Sequence, residues 1–152
     1  MTTRSGMAGL EAEIARRPGH VIKRAEQALM SAKSAALRPF ELTVPQYSGL
    51  LVLSYLPGAS GAQLARICAV TPQTMATVLA NLEAKGLITR SPSSVHQKVF
   101  VTKLTRAGSA LLKRADVKAH AVEERLSAEF TDDERRTLTE LLERAIKVLV
   151  DE

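Results

Sequence analysis

Apolar residues recur at helical spacing along most of the chain, and the spacing changes to alternation only once. A short helix is expected over 7–16, ending at Pro18-Gly19. From about His20 to Leu37, Ile22, Ala25, Leu29, Ala32 and Ala36 make one stripe, and Pro39 follows. In "LTVPQYSGLLVLSYLPG", Thr43 and Gln46 make a capping box, Tyr47, Leu50, Leu51 and Ser54 share a face, and Pro57-Gly58 ends the helix. Ser60 and Gln63 repeat the box before a helix of about two turns, on which Leu64, Ile67 and Cys68 point one way. The next stretch, "VTPQTMATVLANLEAKG", has Thr71 as cap, Pro72 at the first helical position and Gly86 as exit. Met75, Val78, Leu79 and Leu82 give it a buried stripe.

Beyond Gly86 the pattern alternates. "GLITRS" and "KVFVTKL" read as two short strands, with Val99 and Val101 on one side and Phe100 and Thr102 on the other. Helical spacing returns over 105–127. A break near Phe130 and a capping box at Thr131 and Glu134 precede a last helix with Leu138, Leu141, Leu142, Ala145 and Leu149 on one face. The order is mainly α: a winged helix-turn-helix lobe over 57–104, an N-terminal arm over 1–19, and a discontinuous helical region over 20–56 and 105–152. The last region carries more apolar stripe than one lobe of about 50 residues can cover. Pairing about a two-fold axis buries it, so a homodimer is expected.

The outward face of residues 72–84 sharpens the functional reading. Gln73, Thr77, Ala80 and Ala84 point away from the stripe, flanked by Thr74, Ala76 and Asn81. A solvated face ordinarily carries Glu and Lys pairs, whereas this one is small, polar and almost uncharged. Such a face suits a major groove about 12 Å wide, where bulk and like charge are unwelcome. Gln73 can bond an adenine edge in bidentate fashion, Thr and Ala methyls can meet thymine methyls, and the helix start at Thr71 and Thr74 can meet a phosphate.

Charge supports the same partner. The 152 residues carry a net +5, and 58–108 alone holds Arg66, Lys85, Arg90, Lys98, Lys103 and Arg106 against Glu83. The rest of the chain balances, so the whole excess sits on this basic module, as a phosphate-contacting surface requires. Double-stranded DNA is the expected partner, through Ser60, Gln63, Thr71, Pro72, Gln73, Thr74, Thr77, Asn81, Arg90, Ser94, His96, Gln97 and Lys98. A protein that coats DNA without sequence preference shares these signals; a specificity ratio against random DNA separates the two.

The excluded classes are clear. One cysteine and three scattered histidines (His20, His96, His120) offer no metal site, and no cofactor is expected. No nucleophile elbow, Gly-rich phosphate loop or metal box is present, so no enzyme is expected. No apolar run nears the roughly 20 residues that span a bilayer, and the first residues lack a signal peptide's apolar centre. A cytoplasmic protein with no membrane partner follows. Cys68, inward beside Leu64, is read as a core thiol and not a redox sensor.

The segments "LTVPQY", "QLAR", "VTPQTMATVLANLEAKGLITR" and "LTRAG" resemble the MarR family of winged-helix transcriptional regulators, over roughly 20–150. The resemblance implies a dimer with intertwined terminal helices, two lobes on a pseudo-palindromic operator, and a repressor released by a small ligand. A ligand crevice between lobes would involve Arg24, Arg38, Tyr47 and Leu50 together with the start of the 105–127 helix, and would favour an aromatic or anionic effector. The sequence departs from the family at the wing tip. His96-Gln97-Lys98 stands where Asp-Arg-Arg or Asp-Lys-Arg is usual, and Lys lacks Arg's planar fork. The cysteines that sense peroxide in some family members lie near the equivalent of 10–25, where this chain has none.

Overall fold

The computed structural model of the protein describes residues 2–96 and 100–150. Its elements are α1 (Thr2–Ala15), α2 (Pro18–Leu37), a 3-10 turn (Arg38–Phe40), α3 (Val44–Tyr55), α4 (Gly61–Ile67), α5 (Pro72–Ala84), β1 (Ile88–Pro92), β2 (Phe100–Leu104), α6 (Arg106–Ala128) and α7 (Asp132–Val150). Pro18 does more than end α1. It occupies the first turn of α2, where its missing N–H costs nothing. The expected capping boxes form: Gln46 and Gln63 backbone N–H groups donate to Thr43 and Ser60 hydroxyls at 3.2 Å each, and Glu134 pairs with Thr131 in the same way.

The core gathers α3, α4, α5, the hairpin and the first half of α6. Leu37, Leu50, Leu53, Leu64, Met75, Leu82 and Ile88 are almost wholly withdrawn from solvent. Gly49 of α3 faces α5, where an added Cβ would make ordinary van der Waals contact, 3.7 Å from Val78 and 3.8 Å from Leu82. Two expectations about faces need correction. Ile67 is 49% exposed, because Leu64 and Ala65 are the residues that α4 turns inward. Ser54 also faces solvent, its hydroxyl donating to the Leu51 carbonyl at 2.6 Å, while Leu53 takes the buried place.

Both junctions around α5 are Schellman closures. After α4, Val70 N–H donates to the Ala65 carbonyl at 3.0 Å and Ala69 takes a left-handed conformation, φ 53°. After α5, Leu87 N–H donates to the Leu82 carbonyl at 3.0 Å and Gly86 takes φ 70°. The hairpin then runs antiparallel, with Ile88 opposite Leu104 and Pro92 opposite Phe100. At its base Thr105 N–H donates to the Leu87 carbonyl (3.0 Å) and its hydroxyl to the Gly86 carbonyl (2.7 Å). Thr105 also caps α6 by accepting from Gly108 N–H at 3.0 Å. The end of α5 is thereby clasped to the start of α6.

Helices α1, α2 and α7 behave differently. Met7, Leu10, Val21, Ile22, Leu138, Leu141, Leu142, Ile146 and Leu149 are all exposed, and α7 has no buried residue. The α7 stripe read from the sequence is therefore left largely uncovered by the rest of this single chain, as is Ile22 at the start of the α2 stripe, whereas Leu29, Ala32 and Ala36 further along α2 are partly buried.

Candidate nucleic-acid interface

The α4–α5 pair presents its outer surface as the periodicity requires. Met75, Val78, Leu79 and Leu82 are buried, while Thr71, Pro72, Gln73, Thr74, Thr77 and Asn81 are exposed. Thr71 caps the helix by accepting from Thr74 N–H at 3.1 Å, and its own hydroxyl donates to Thr74 Oγ1 at 2.9 Å. Thr77, exposed, donates its hydroxyl to the Gln73 carbonyl at 3.3 Å. Gln73 and Asn81 are solvated amides on one helix face. Ser60 and Gln63 hold the start of α4, spending side-chain capacity on the backbone there.

Lys85, which the sequence places in the last turn of this helix, also anchors its far end. Lys85 Nζ donates to the Glu41 carbonyl at 2.7 Å and lies 3.5 Å from Gln46 Oε1, tying the end of α5 to the corner between α2 and α3. Glu41 adopts φ 53° at that corner, which turns its carbonyl toward the lysine. The other basic side chains of the module, Arg66, Lys103 and Arg106, are exposed. Arg90 reaches from β1 to Glu83 on α5, Nε to Oε2 3.5 Å. The single acid of the module is thus spent on one of its cations.

At the wing, Ser94 and His96 are exposed, and the turn is held by Val95 N–H donating to Ser93 Oγ at 3.2 Å. Gln97 and Lys98 lie outside the described residues, as does Val99. Phe100 and Thr102 share a face, as alternation requires, but Thr102 is buried and Phe100 is 55% exposed.

The residues expected around a ligand separate into two groups. Arg24 and Arg38 are exposed on α2 and just beyond it, whereas Tyr47 and Leu50 are buried in the core. Tyr47 donates to Asp116 Oδ1 on α6 at 2.6 Å. Burial, then this hydrogen bond and the nearby carboxylates, push its phenol pKa well above the ordinary tyrosine range. Lys33 of α2 pairs with Glu123 of α6, about two turns further along. These links join residues 69 positions apart or more, beyond the reach of local patterning. An open cleft of about 530 Å³ sits instead at the start of α6, lined by Leu104, Thr105, Arg106, Ser109, Ala110 and Lys113. It includes the helix start expected as one wall, without Tyr47 or Leu50.

Cys68 closes α4 and is partly buried, with burial raising its thiol pKa. Among the described residues, no helix is long and apolar enough to cross a membrane.

Known proteins share this arrangement. A profile of the MarR family matches residues 40–98. The HTH-type transcriptional repressor Rv2887 of Mycobacterium tuberculosis is 39% identical over 126 residues, 83% of this chain and 91% of that protein. A crystal structure of the M. tuberculosis MarR family protein Rv2887 in complex with p-aminosalicylic acid aligns with a TM-score of 0.66. It is 38% identical and covers 85% of this chain and 98% of that one. The transcriptional repressor CouR bound to a 23-mer DNA duplex aligns with a TM-score of 0.79 at 27% identity, covering 88% and 95% of the two chains.

Proposed function

The chain belongs to the MarR family, and from that premise we propose that it is a dimeric transcriptional repressor that leaves its operator when a small aromatic acid binds. The observation that carries the reading is the outer face of α5, where exposed Gln73, Thr74, Thr77 and Asn81 stand on a helix fixed at both ends. A rigid helix offering amides and methyls, with no carboxylate until Glu83, is suited to base edges in a major groove. Arg66, Lys103 and Arg106 surround it with phosphate-neutralising charge. The exposed apolar residues of α1, α2 and α7 are the surface a second copy covers, and a two-fold axis then spaces two recognition helices for two half-sites.

The effector belongs in the cleft at the start of α6. Leu104 and Ala110 offer an apolar wall for a ring, Arg106 and Lys113 offer cations for a carboxylate, and Ser109 offers a hydroxyl. The cleft adjoins the clasp between the wing base and α6, so a ligand there favours one lobe orientation over another by its differential affinity. The p-aminosalicylate complex of Rv2887 supports this ligand class, and the CouR–duplex complex supports the DNA partner. Its work on DNA puts the protein in the cytoplasm, acting by binding and not by catalysis.

Selection of duplexes from a random pool tests the reading. A two-fold symmetric site should be enriched, bound by a species of twice the chain's 16.4 kDa in light scattering. On that site Gln73→Ala or Thr77→Ala should cost about 1–3 kcal/mol per half-site, with little loss on random duplex. Added p-aminosalicylate should raise the operator Kd. An unenriched pool, or an equal loss on every duplex, points instead to a protein that coats DNA without reading it.

A further inference from the structure

The far end of α5 meets a polar junction outside the core. Beyond Leu82 the helix has no buried side chain, and Glu83, Ala84 and Lys85 are all exposed. Across the junction stands the corner between α2 and α3, where Glu41 holds its left-handed φ of 53°. Gln46, buried in the first turn of α3, uses its Oε1 twice, accepting from Thr43 N–H at 3.1 Å and from Lys85 Nζ at 3.5 Å. The shorter bond of Lys85 Nζ, 2.7 Å, goes to the main-chain oxygen of Glu41. Among the described residues, every hydrogen bond between the end of α5 and this corner comes from that one ammonium. It also stands at the C-terminus of α5, where the helix dipole favours a cation.

We propose that Lys85 is a positioning residue for base reading, setting the tilt of α5 from the α2–α3 corner, and not the phosphate contact that its place in the basic module suggests. The inference rests on the DNA-binding reading given above. Val78, buried against α3, makes a pivot for the helix. At 1.5 Å per residue, Lys85 lies about 10.5 Å beyond that pivot and Gln73 about 7.5 Å before it. Release of the lysine end by about 1 Å then swings Gln73 by about 0.7 Å. Hydrogen bonds to base edges span about 2.7–3.2 Å, a window narrower than that swing. Losing the tie therefore blurs discrimination between bases, while attraction to phosphates tolerates so small a displacement. Placement agrees. The N-terminal residues of a recognition helix meet the bases, and Lys85 stands about 18 Å along the helix from Gln73 with its ammonium turned to the protein's own carbonyl.

The selected operator and the intact dimer provide the test. Lys85→Met keeps the reach of the side chain and removes its donors, and Lys85→Arg restores them. Lys85 is exposed, so both variants should fold, which circular dichroism checks. Lys85→Met should weaken operator binding about tenfold or more, with binding to random duplex within about twofold of wild type. A fresh selection with Lys85→Met should return a more degenerate site, and Lys85→Arg should recover the original site and most of the affinity. The slope of log K against log salt should match wild type in both, where loss of one phosphate contact per lobe would flatten it by about 1.8. Glu41→Gln should behave as wild type, because the carbonyl it keeps is the acceptor. Equal weakening on every duplex with a flattened slope would make Lys85 a phosphate contact and refute the positioning role. An unchanged operator Kd with an unchanged selected site would refute it as well, even where Tm falls. Operator binding lost in Glu41→Gln would overturn the carbonyl as partner. Failure of wild type to select any duplex would remove the DNA reading, and this inference with it.

Discussion

Gly108→Ala should damage this fold more than its single added methyl suggests. A Cβ at Gly108 would lie 2.9 Å from the Leu87 carbonyl carbon and 3.3 Å from its Cα, and closer still to the carbonyl oxygen. Carbon atoms settle at about 3.5–4.0 Å, so the backbones must part by roughly 0.6 Å or more. Neither side yields easily. The Leu87 carbonyl accepts from Thr105 N–H, Leu87 N–H is held by Leu82, and Gly108 N–H is held by the Thr105 hydroxyl. Overpacking of this kind costs about 1–3 kcal/mol, and losing the Thr105–Leu87 bond adds about 1 kcal/mol. A total of about 2–4 kcal/mol corresponds to a fall in Tm of roughly 5–15 °C for a domain of this size. Gly9→Ala on α1 is the matched control, because nothing lies within 4 Å of its added Cβ. It should leave Tm unchanged or raise it, helix propensity favouring Ala by up to about 1 kcal/mol. Thermal melts followed by circular dichroism at fixed protein concentration read both. A Gly108→Ala protein melting within about 2 °C of wild type would show that the clasp can open at no cost and that the reasoning is wrong.

Tyr47→Phe should destabilise by about 1–2 kcal/mol at pH 8 through loss of the bond to Asp116. The folded state holds the phenol protonated and the unfolded chain releases that proton above about pH 10, so wild type loses stability as pH rises past 10 and the gap between the two proteins should narrow. Urea titrations at pH 8 and pH 11 check this, and a constant gap counts against it. Cys68→Ser should leave operator binding unchanged with and without organic hydroperoxide, since burial raises the thiol pKa and suppresses the thiolate. Peroxide release of wild type alone, reversed by a thiol reductant, would make Cys68 the sensor.

What could be read from the sequence was what short-range interactions decide. Capping boxes join residues three apart, and Met75, Val78, Leu79 and Leu82 occupy one stripe by the helical period alone. The polar face of α5 was legible as the complement of that stripe. Ile67 was misread because a seven-residue helix is too short for its period to select one face, and tertiary docking chooses Leu64 and Ala65. The left-handed turns at Glu41 and Ala69 carry no glycine to announce them. Lys85, Tyr47, Lys33 and Gly108 act on partners far along the chain, so their neighbours in sequence give no sign of it. Pro18 was legible as a helix terminator but equally starts the next helix, two roles one residue can fill.

The two sides of α5 share few obligations. Met75, Val78, Leu79 and Leu82 hold the helix in place, while Gln73, Thr74, Thr77 and Asn81 touch nothing in the core. Replacing exposed helix residues typically shifts stability by no more than about 0.5 kcal/mol, whereas each base-edge contact is worth about 1–3 kcal/mol of discrimination. On the proposed reading, a duplicated copy of such a gene drifts toward a different operator through a handful of substitutions, each intermediate still folding and still pairing. The same independence then gives an engineer four positions to randomise while the remainder of the chain stays as it stands.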